Sequence, residues 1–480
     1  MLYLLLILFI IMLIVSYLKL GKDIMQPAVI FCSAYILSIV CVMLNIGKWN
    51  IVFHLNTFLV LALGGLEFVL ICFTVHKLYT KKKAKEEEEP TKKEETLQAK
   101  NNTNIKKYMV VLVCLYNVIV LGLLIYNVLS IAHQFGEYSN FTQALTLFKN
   151  NTSYEINAEI PHYMNLLGKP VIIFAYIFLY VFLKNVIKEE GKIHQKIIKN
   201  WYYLIPVLTY IFYEFTASNR LTILSLVLGG FTIAVILWNQ KNNWSKTVRL
   251  RSIGRMVICA ICGLILFYFS ASVIGRVNSR GPIDYITLYC GGSIECLNRF
   301  MQDPPEKSNI VGKESFYYLI KNLDSYGMIE LEEKYPIHLE FRNSYGNMIG
   351  NVYTAYRRWI YDFGILGMVI LQAIMAIFYQ LFYEIIKKRS KQGKQIHFLT
   401  ILYAYMIYPV FLHPIDGYFY LLTIRMAFLT TLVMYLVAYT VLFQLTIKKE
   451  ENGIKMQIGN KEISIDYSRK RRKEKINEKE

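Results

Sequence analysis

The chain has 480 residues, 55% of them hydrophobic, with 53 lysines and arginines against 34 aspartates and glutamates and a formal net charge of +19. That excess of base could suit nucleic acid, but the basic residues sit mostly in short connections between apolar runs of about 17 to 25 residues, enough for a helix to cross roughly 30 Å of hydrocarbon. The pattern sets aside a nucleic-acid partner and gives an all-α fold, a polytopic integral membrane protein.

The first run, Leu2 to Leu18, has no basic stretch before it and no small-residue cleavage site after it, so it reads as a retained span. Further runs lie at 28–44, 57–75, 108–131, 165–183, 201–217, 221–238, 256–275, 359–382, 397–413 and 426–446, for about 11 transmembrane helices. Asp416 to Arg425 reads as a short re-entrant or interfacial piece as readily as part of the last span. Basic residues crowd alternate connections, Lys77 to Lys107, Lys184 to Lys199, Lys241 to Arg255, Lys387 to Lys394 and the tail from Lys448. The positive-inside rule makes these cytoplasmic, with the N-terminus outside and the C-terminus cytoplasmic.

The resulting organisation is three helices in 1–76, a charged cytoplasmic loop at 77–107, helices 4–8 in 108–275, one large extracytoplasmic loop at 276–358, helices 9–11 in 359–446 and a basic cytoplasmic tail at 447–480. "KKKAKEEEEPTKKEE" at 81–95 has no apolar periodicity and reads as a solvated, flexible loop. The tail's "SRKRRKEK" resembles a basic patch for anionic lipid heads, but reads first as a plain positive-inside anchor. Most cysteines fall in apolar runs, as small hydrophobes. Cys290 and Cys296 lie in the polar segment, where an oxidising compartment would allow a disulfide.

Arginine on the outer side runs against the positive-inside rule, so each one there calls for a reason. Arg220 follows the turn Ala217-Ser218-Asn219 and opens a span; Arg276 and Arg280 lie four apart just past another; Arg357 and Arg358 stand at the threshold of a third. Together they suit an outward basic pocket for an anion whose tail stays in lipid, because the guanidinium fork matches phosphate. Adjacent residues point apart, so only one of Arg357 and Arg358 is expected to reach the pocket, the other flanking Trp359 and Tyr361 as interface anchors.

Asp362, in the first turns of its helix, either holds Arg358 at i,i+4 or does acid–base work. Glu214 is costly in lipid and must face protein or water, to orient Arg220 or to move a proton. Asp284, Glu295, His413 and Asp416 share the outer side, and the sequence does not choose among them. It has no phosphate-cradling glycine loop and no cysteine–histidine cluster of metal spacing, so neither a metal nor a cofactor is expected.

The layout, "TASNRLTILSLVLGG" at 216–230, "YCGGSIECLNRF" at 289–300 and above all "GNVYTAYRRWIYDFGILG" at 350–367 resemble the Wzy-type oligosaccharide repeat unit polymerases of bacterial surface polysaccharide pathways. The resemblance implies a glycosyltransferase of the bacterial cytoplasmic membrane acting on an undecaprenyl diphosphate donor. It would transfer the growing glycan en bloc to a lipid-linked repeat on the outer face, for capsule, exopolysaccharide or O-antigen. It further implies a lipid-linked oligosaccharide substrate, and a chain-length regulator and flippase as pathway partners. Arg220, Arg276, Arg357 and Arg358 match the family's essential outward arginines; Arg280 joins them by position, and Asp284 or Asp362 is the expected base. A ligase using the same lipid donor is the nearest alternative, with His338 as its one loop histidine, and a flippase of the lipid-linked repeat is another.

Overall fold

The computed structural model describes residues 1–88, 105–154, 158–247, 281–331, 337–344, 346–450, 453–458 and 461–466, with positions 254, 263, 265, 268 and 269. Its helices in chain order are α1 (Leu2–Lys19), α2 (Pro27–Met43), α3 (Leu55–Glu88), α4 (Lys107–Phe135), α5 (Phe141–Lys149), α6 (His162–Lys188), α7 (Ile193–Asn200), α8 (Ile205–Thr216) and α9 (Arg220–Lys241). After these come α10 (Pro282–Phe300), α11 (Tyr317–Ser325), α12 (Ala355–Lys391), α13 (His397–Met406), α14 (Tyr408–Phe411), α15 (Tyr418–Thr423) and α16 (Met426–Tyr439).

Among the described residues, seven helices are long and apolar enough to cross a membrane: α1, α3, α4, α6, α9, α12 and α16 with its π-helical extension to Gln444. The apolar runs at 28–44, 201–217 and 397–413 form shorter helices: α2, α8, and α13 with α14. The run at 256–275 lies outside the described residues apart from positions 263, 265, 268 and 269, which are helical. Asp416 to Arg425 is separate from the last span: α15 stands alone, and Arg425 is extended before α16 begins.

Two sequence expectations change. The charged stretch after Lys81 is helical as far as Glu88, because Lys, Ala and Glu extend a helix already nucleated by an apolar span. The C-terminal tail contains an antiparallel meander, β3 (Leu445–Glu450), β4 (Gly453–Ile458) and β5 (Lys461–Asp466). "EISID" and "IKMQI" alternate apolar and polar residues at the period of a strand. A small hairpin, β1 (Arg342–Ser344) with β2 (Asn347–Gly350), lies before α12.

The buried apolar residues form two large cores. One joins α1, α2, α3, α10 and α12; the other joins α4, α6, α8, α9, α13 and α16. Helix α9 bridges them, giving Val235 and Ile236 to the first and Ile233 and Leu237 to the second. α10 packs on α2 at Gly291, where an added Cβ would sit 2.7 Å from the Val42 amide, so only glycine allows the helices this close. Cys290 and Cys296, on that same helix, are free. Six residues of helix separate them by about 9 Å along the axis, too far for a disulfide.

Basic connections share one end of the bundle: Lys188 donates to Gln240 Oε1 (2.8 Å), Lys388 covers the Tyr79 ring and Lys107 covers Tyr202. Arg220, Arg357, Arg358 and Arg425 begin helices at the other end. Between the two ends α12 carries a polar stripe. Gln372 donates to Glu67 Oε2 (3.1 Å), Gln380 to Gln26 Oε1 (2.9 Å) and Tyr383 to Asp23 Oδ2 (2.7 Å), and Glu384 pairs with His76 (2.7 Å). Each is turned into protein, as polar groups in hydrocarbon must be.

α12 bends at Gly364, whose φ of 68° and ψ of −171° suit glycine alone. Gly364→Ala is expected to cost about 1 to 3 kcal/mol, read as a lower midpoint of unfolding in detergent. Gly122→Ala, in α4 with open space around its Cβ, serves as the comparison and should leave the midpoint unchanged or raise it.

Candidate functional site

At the arginine end, the segment between α10 and α12 folds back onto the bundle, and the first turn of α12 holds it there. Arg357 is fully buried. Its Nη1 pairs with Glu314 and its Nη2 with Glu340 Oε2 (2.7 Å), while its guanidinium lies 4.7 Å from the Phe300 ring centroid, 4.9 Å from Tyr361 and 5.2 Å from Tyr353. Arg358, also buried, forks onto Asp416 through Nε (2.6 Å) and Nη2 (3.0 Å). Its remaining donors reach the carbonyls of Glu314 (3.4 Å) and Ile337 (3.2 Å).

The expectation that one of these two arginines faces an open pocket and the other anchors at the interface is therefore replaced. Both turn inward, because three carboxylates from distant parts of the chain converge on them. Asp362 does not pair with Arg358. Its carboxylate accepts the backbone amides of Glu314 (3.2 Å) and Ser315 (2.6 Å), fixing the turn that presents Glu314.

More ion pairs tie the same segment down. Arg342 bridges Asp303 (2.9 Å) and Glu340 (3.2 Å), and Arg299 joins buried Glu295 (2.8 Å) to Ser344 (2.8 Å). Asp284, offered as a base, is half-exposed and paired with Lys48 at 2.6 Å. His413 is buried, hydrogen-bonded to the Tyr35 hydroxyl (2.8 Å) and boxed by Phe31, Tyr356 and Trp359, so it packs as a core residue. His338 packs beside the Phe341 ring. Arg276 and Arg280 lie outside the described residues.

Arg220 is buried at the start of α9, donating to the Tyr285 hydroxyl (2.8 Å) and the Tyr289 hydroxyl (3.3 Å) of α10. Glu214 does not orient it. That carboxylate accepts from Thr222 (2.7 Å), one turn into α9, and stands within electrostatic range of Tyr405. The Tyr405 hydroxyl in turn faces Arg425, which covers the Tyr318 ring at 5.3 Å and has Lys169 as a cationic neighbour. Arg425 Nε is buried without a hydrogen-bond partner among the described residues. Arg220 and Arg425 thus each meet tyrosines, whereas Arg357 and Arg358 are held by carboxylates.

Glu314 stands out electrostatically. Burial pushes its carboxyl up to about 7; Arg357 and Arg358 pull it down, while Asp362 and Glu340 add to the rise. Glu340 goes the other way: burial raises it, but Arg357, its hydrogen bonds and Arg342 hold it below the ordinary value. Two carboxylates on one arginine with opposed shifts is the arrangement that separates an acid from a base. Glu314 was not among the acidic residues that the sequence singled out. Several other acidic residues in the same stretch give no local sign of which one is buried.

Among known proteins, no family model, no curated sequence and no solved structure matches this chain.

Two consequences are measurable. Arg358→Met or Asp416→Leu alone leaves a buried charge unpaired and is expected to cost about 3 to 5 kcal/mol, whereas the double variant should recover most of that loss. Reversible unfolding in mixed micelles reads the cycle, and single variants within 0.5 kcal/mol of wild type (about the surface-substitution range) would show that the pair braces nothing. The second concerns pH. Glu314 has a folded value near 7 against 4.5 for a free carboxyl, so its protonated form favours the fold. That contribution is complete below pH 4.5 and is lost as pH rises through about 7. Glu314→Gln should flatten the dependence of the unfolding midpoint over that window.

Proposed function

We propose that this chain polymerises undecaprenyl-diphosphate-linked oligosaccharide repeats, moving the growing glycan en bloc onto a new lipid-linked repeat at the arginine end of the bundle. The observation that carries the reading is the company kept at one end of the bundle. Arg220 and Arg425 lie against tyrosines at the starts of membrane-length helices, and at the same end the α12 arginines hold Glu314, whose carboxyl burial pushes up to about 7.

Departure of a diphosphate from an anomeric carbon builds negative charge on the leaving group. Guanidinium groups already fixed by tyrosines stabilise that charge without reorganising. Arg425 brings an unpartnered buried Nε, and Arg220 a planar fork, both at the level where a polyprenyl chain would leave its phosphates for hydrocarbon. The acceptor hydroxyl must lose a proton as it attacks, and a carboxylate with a value near 7 is matched to that task at neutral pH. In this scheme Arg357 and Arg358 position Glu314 and the segment around it, and Asp362 fixes the turn. Asp284, exposed and paired with Lys48, is the weaker base.

The reading is tested by reconstituting the purified chain with a single lipid-diphosphate-linked repeat, without nucleotide, and resolving the products on a gel. Wild type should give a ladder. Arg220→Ala and Arg425→Ala should lose at least about a hundredfold in rate while keeping the wild-type elution profile, the scale of removing one preorganised oxyanion donor. Glu314→Gln should remove the acidic limb of the rate profile near pH 7. Transfer of one block to a foreign acceptor without a ladder would make the chain a ligase, and movement of the lipid across the vesicle without new glycosidic bonds would make it a flippase.

A further inference from the structure

At the lysine end, opposite the arginine cluster, the turn between α1 and α2 meets the C-terminal ends of α9 and α12 around a small, partly open cavity of about 20 Å³. Gly21, Lys22, Asp23, Asn239, Trp244, Lys246 and Lys387 line it. We propose that this cavity is a binding site for a phosphate-bearing anion, with the ammonium groups of Lys22, Lys246 and Lys387 as its ligands and the headgroup of an anionic phospholipid as its source.

Charge is the first support. Three ammonium groups face one carboxylate, and that carboxylate is already satisfied. Asp23 is buried, with Oδ1 accepting from the Met25 amide (3.1 Å) and Asn239 (3.3 Å) and Oδ2 from the Tyr383 hydroxyl (2.7 Å). Burial also raises its carboxyl above the ordinary value, against the pull of Lys387, which weakens its repulsion of an anion. None of the three lysines forms a salt bridge among the described residues.

Construction is the second. Lys387 lies over the Trp244 ring at 5.6 Å, and Trp244 Nε1 donates to Ser390 Oγ (2.9 Å), so one cationic wall is fixed in place. Lys22, Asn243 and Trp244 all adopt left-handed φ, at 55°, 51° and 58°, beside Gly21 at 87°. Side chains rarely pay that strain except where the surroundings demand a particular backbone, and here two such turns close on one cavity. Position is the third. The cavity lies at the ends of α9 and α12, both of membrane-crossing length, beside a tryptophan, a residue type enriched at membrane–water interfaces, and lysine serves as a point-charge phosphate ligand.

The test uses the full chain in neutral detergent, with binding of phosphatidylglycerol followed by native mass spectrometry. Inorganic phosphate is titrated as a competitor, and phosphatidylcholine serves as the uncharged control. Each Lys→Gln change at 22, 246 or 387 should weaken phosphatidylglycerol binding about fivefold, the worth of one lysine near a charged headgroup. Lys→Arg changes at the same positions should retain it. A comparison variant, Lys77→Gln/Lys107→Gln/Lys199→Gln, removes three charges from exposed positions at the same end, more than any single variant, and should bind as wild type does. Lys22 and Lys246 are exposed, so their single variants report even if the Lys387 variant misfolds. Competition by phosphate supports the shared phosphate chemistry. Phosphate binding without phosphatidylglycerol binding would keep the anion site but overturn the lipid as its source. Equal loss in the comparison variant, or no loss in Lys22→Gln and Lys246→Gln, would overturn the site.

Discussion

Everything at the arginine end follows from the cost of burying a guanidinium at the head of a membrane helix. Arg357 and Arg358 are out of water, and a dehydrated cation is tolerable only when carboxylates and carbonyls complete its shell. Those partners come from 314, 337, 340 and 416, remote in sequence. Two adjacent residues therefore clamp the segment before α12 and the turn after α14 onto one helix turn. The same requirement places Glu314 between two arginines and a second carboxylate, so its unusual proton affinity is a by-product of the clamp.

The clamp divides the cations by role. Arginines that meet carboxylates brace the segment before α12; the others meet tyrosine hydroxyls and rings. Arg220 and Arg425 belong to the second kind, and both open helices after a break in the chain, Arg220 beyond the Ala217–Asn219 turn and Arg425 in its own extended residue. At a helix start the side chain reaches residues of neighbouring elements, Tyr285 and Tyr289 for Arg220 and Tyr318 for Arg425. At the far end of α12 the logic repeats with lysine, where Tyr383 and Asn239 occupy Asp23 and leave Lys387 over Trp244.

The polar stripe of α12 joins these two ends. Gln372, Gln380, Tyr383 and Glu384 recur at helical spacing and each finds a partner on α3 or on the start of the chain. Such pairs fix the rotation of α12 in the bundle, since any other rotation would expose an amide or a carboxylate to lipid. Those contacts orient the part of α12 beyond the Gly364 bend, Lys387 included, while the Arg357–Arg358 turn before the bend is oriented by its own carboxylate partners.

Most of the helices were legible because hydrocarbon imposes one length and one composition on any span, and a run such as Leu2 to Leu18 satisfies both by itself. The concern over outward arginines was legible too, since charge at a helix start is conspicuous against an apolar background. The sequence did not say which way each arginine turns. Asp362 and Arg358 have helical spacing for a pair, yet Asp416 took the arginine and two backbone amides took the aspartate. Glu314 was one acid among several in a polar stretch. Its burial, and with it its chemistry, depends on contacts made from 43 residues away, and no local pattern encodes a partner at that distance. Local sequence determined which segments are long and apolar enough to cross a membrane and where charge must be dealt with; tertiary packing alone decided which charges meet carboxylates and which meet hydroxyls and rings, because the cost of burying a charge is set by whatever the fold brings within reach.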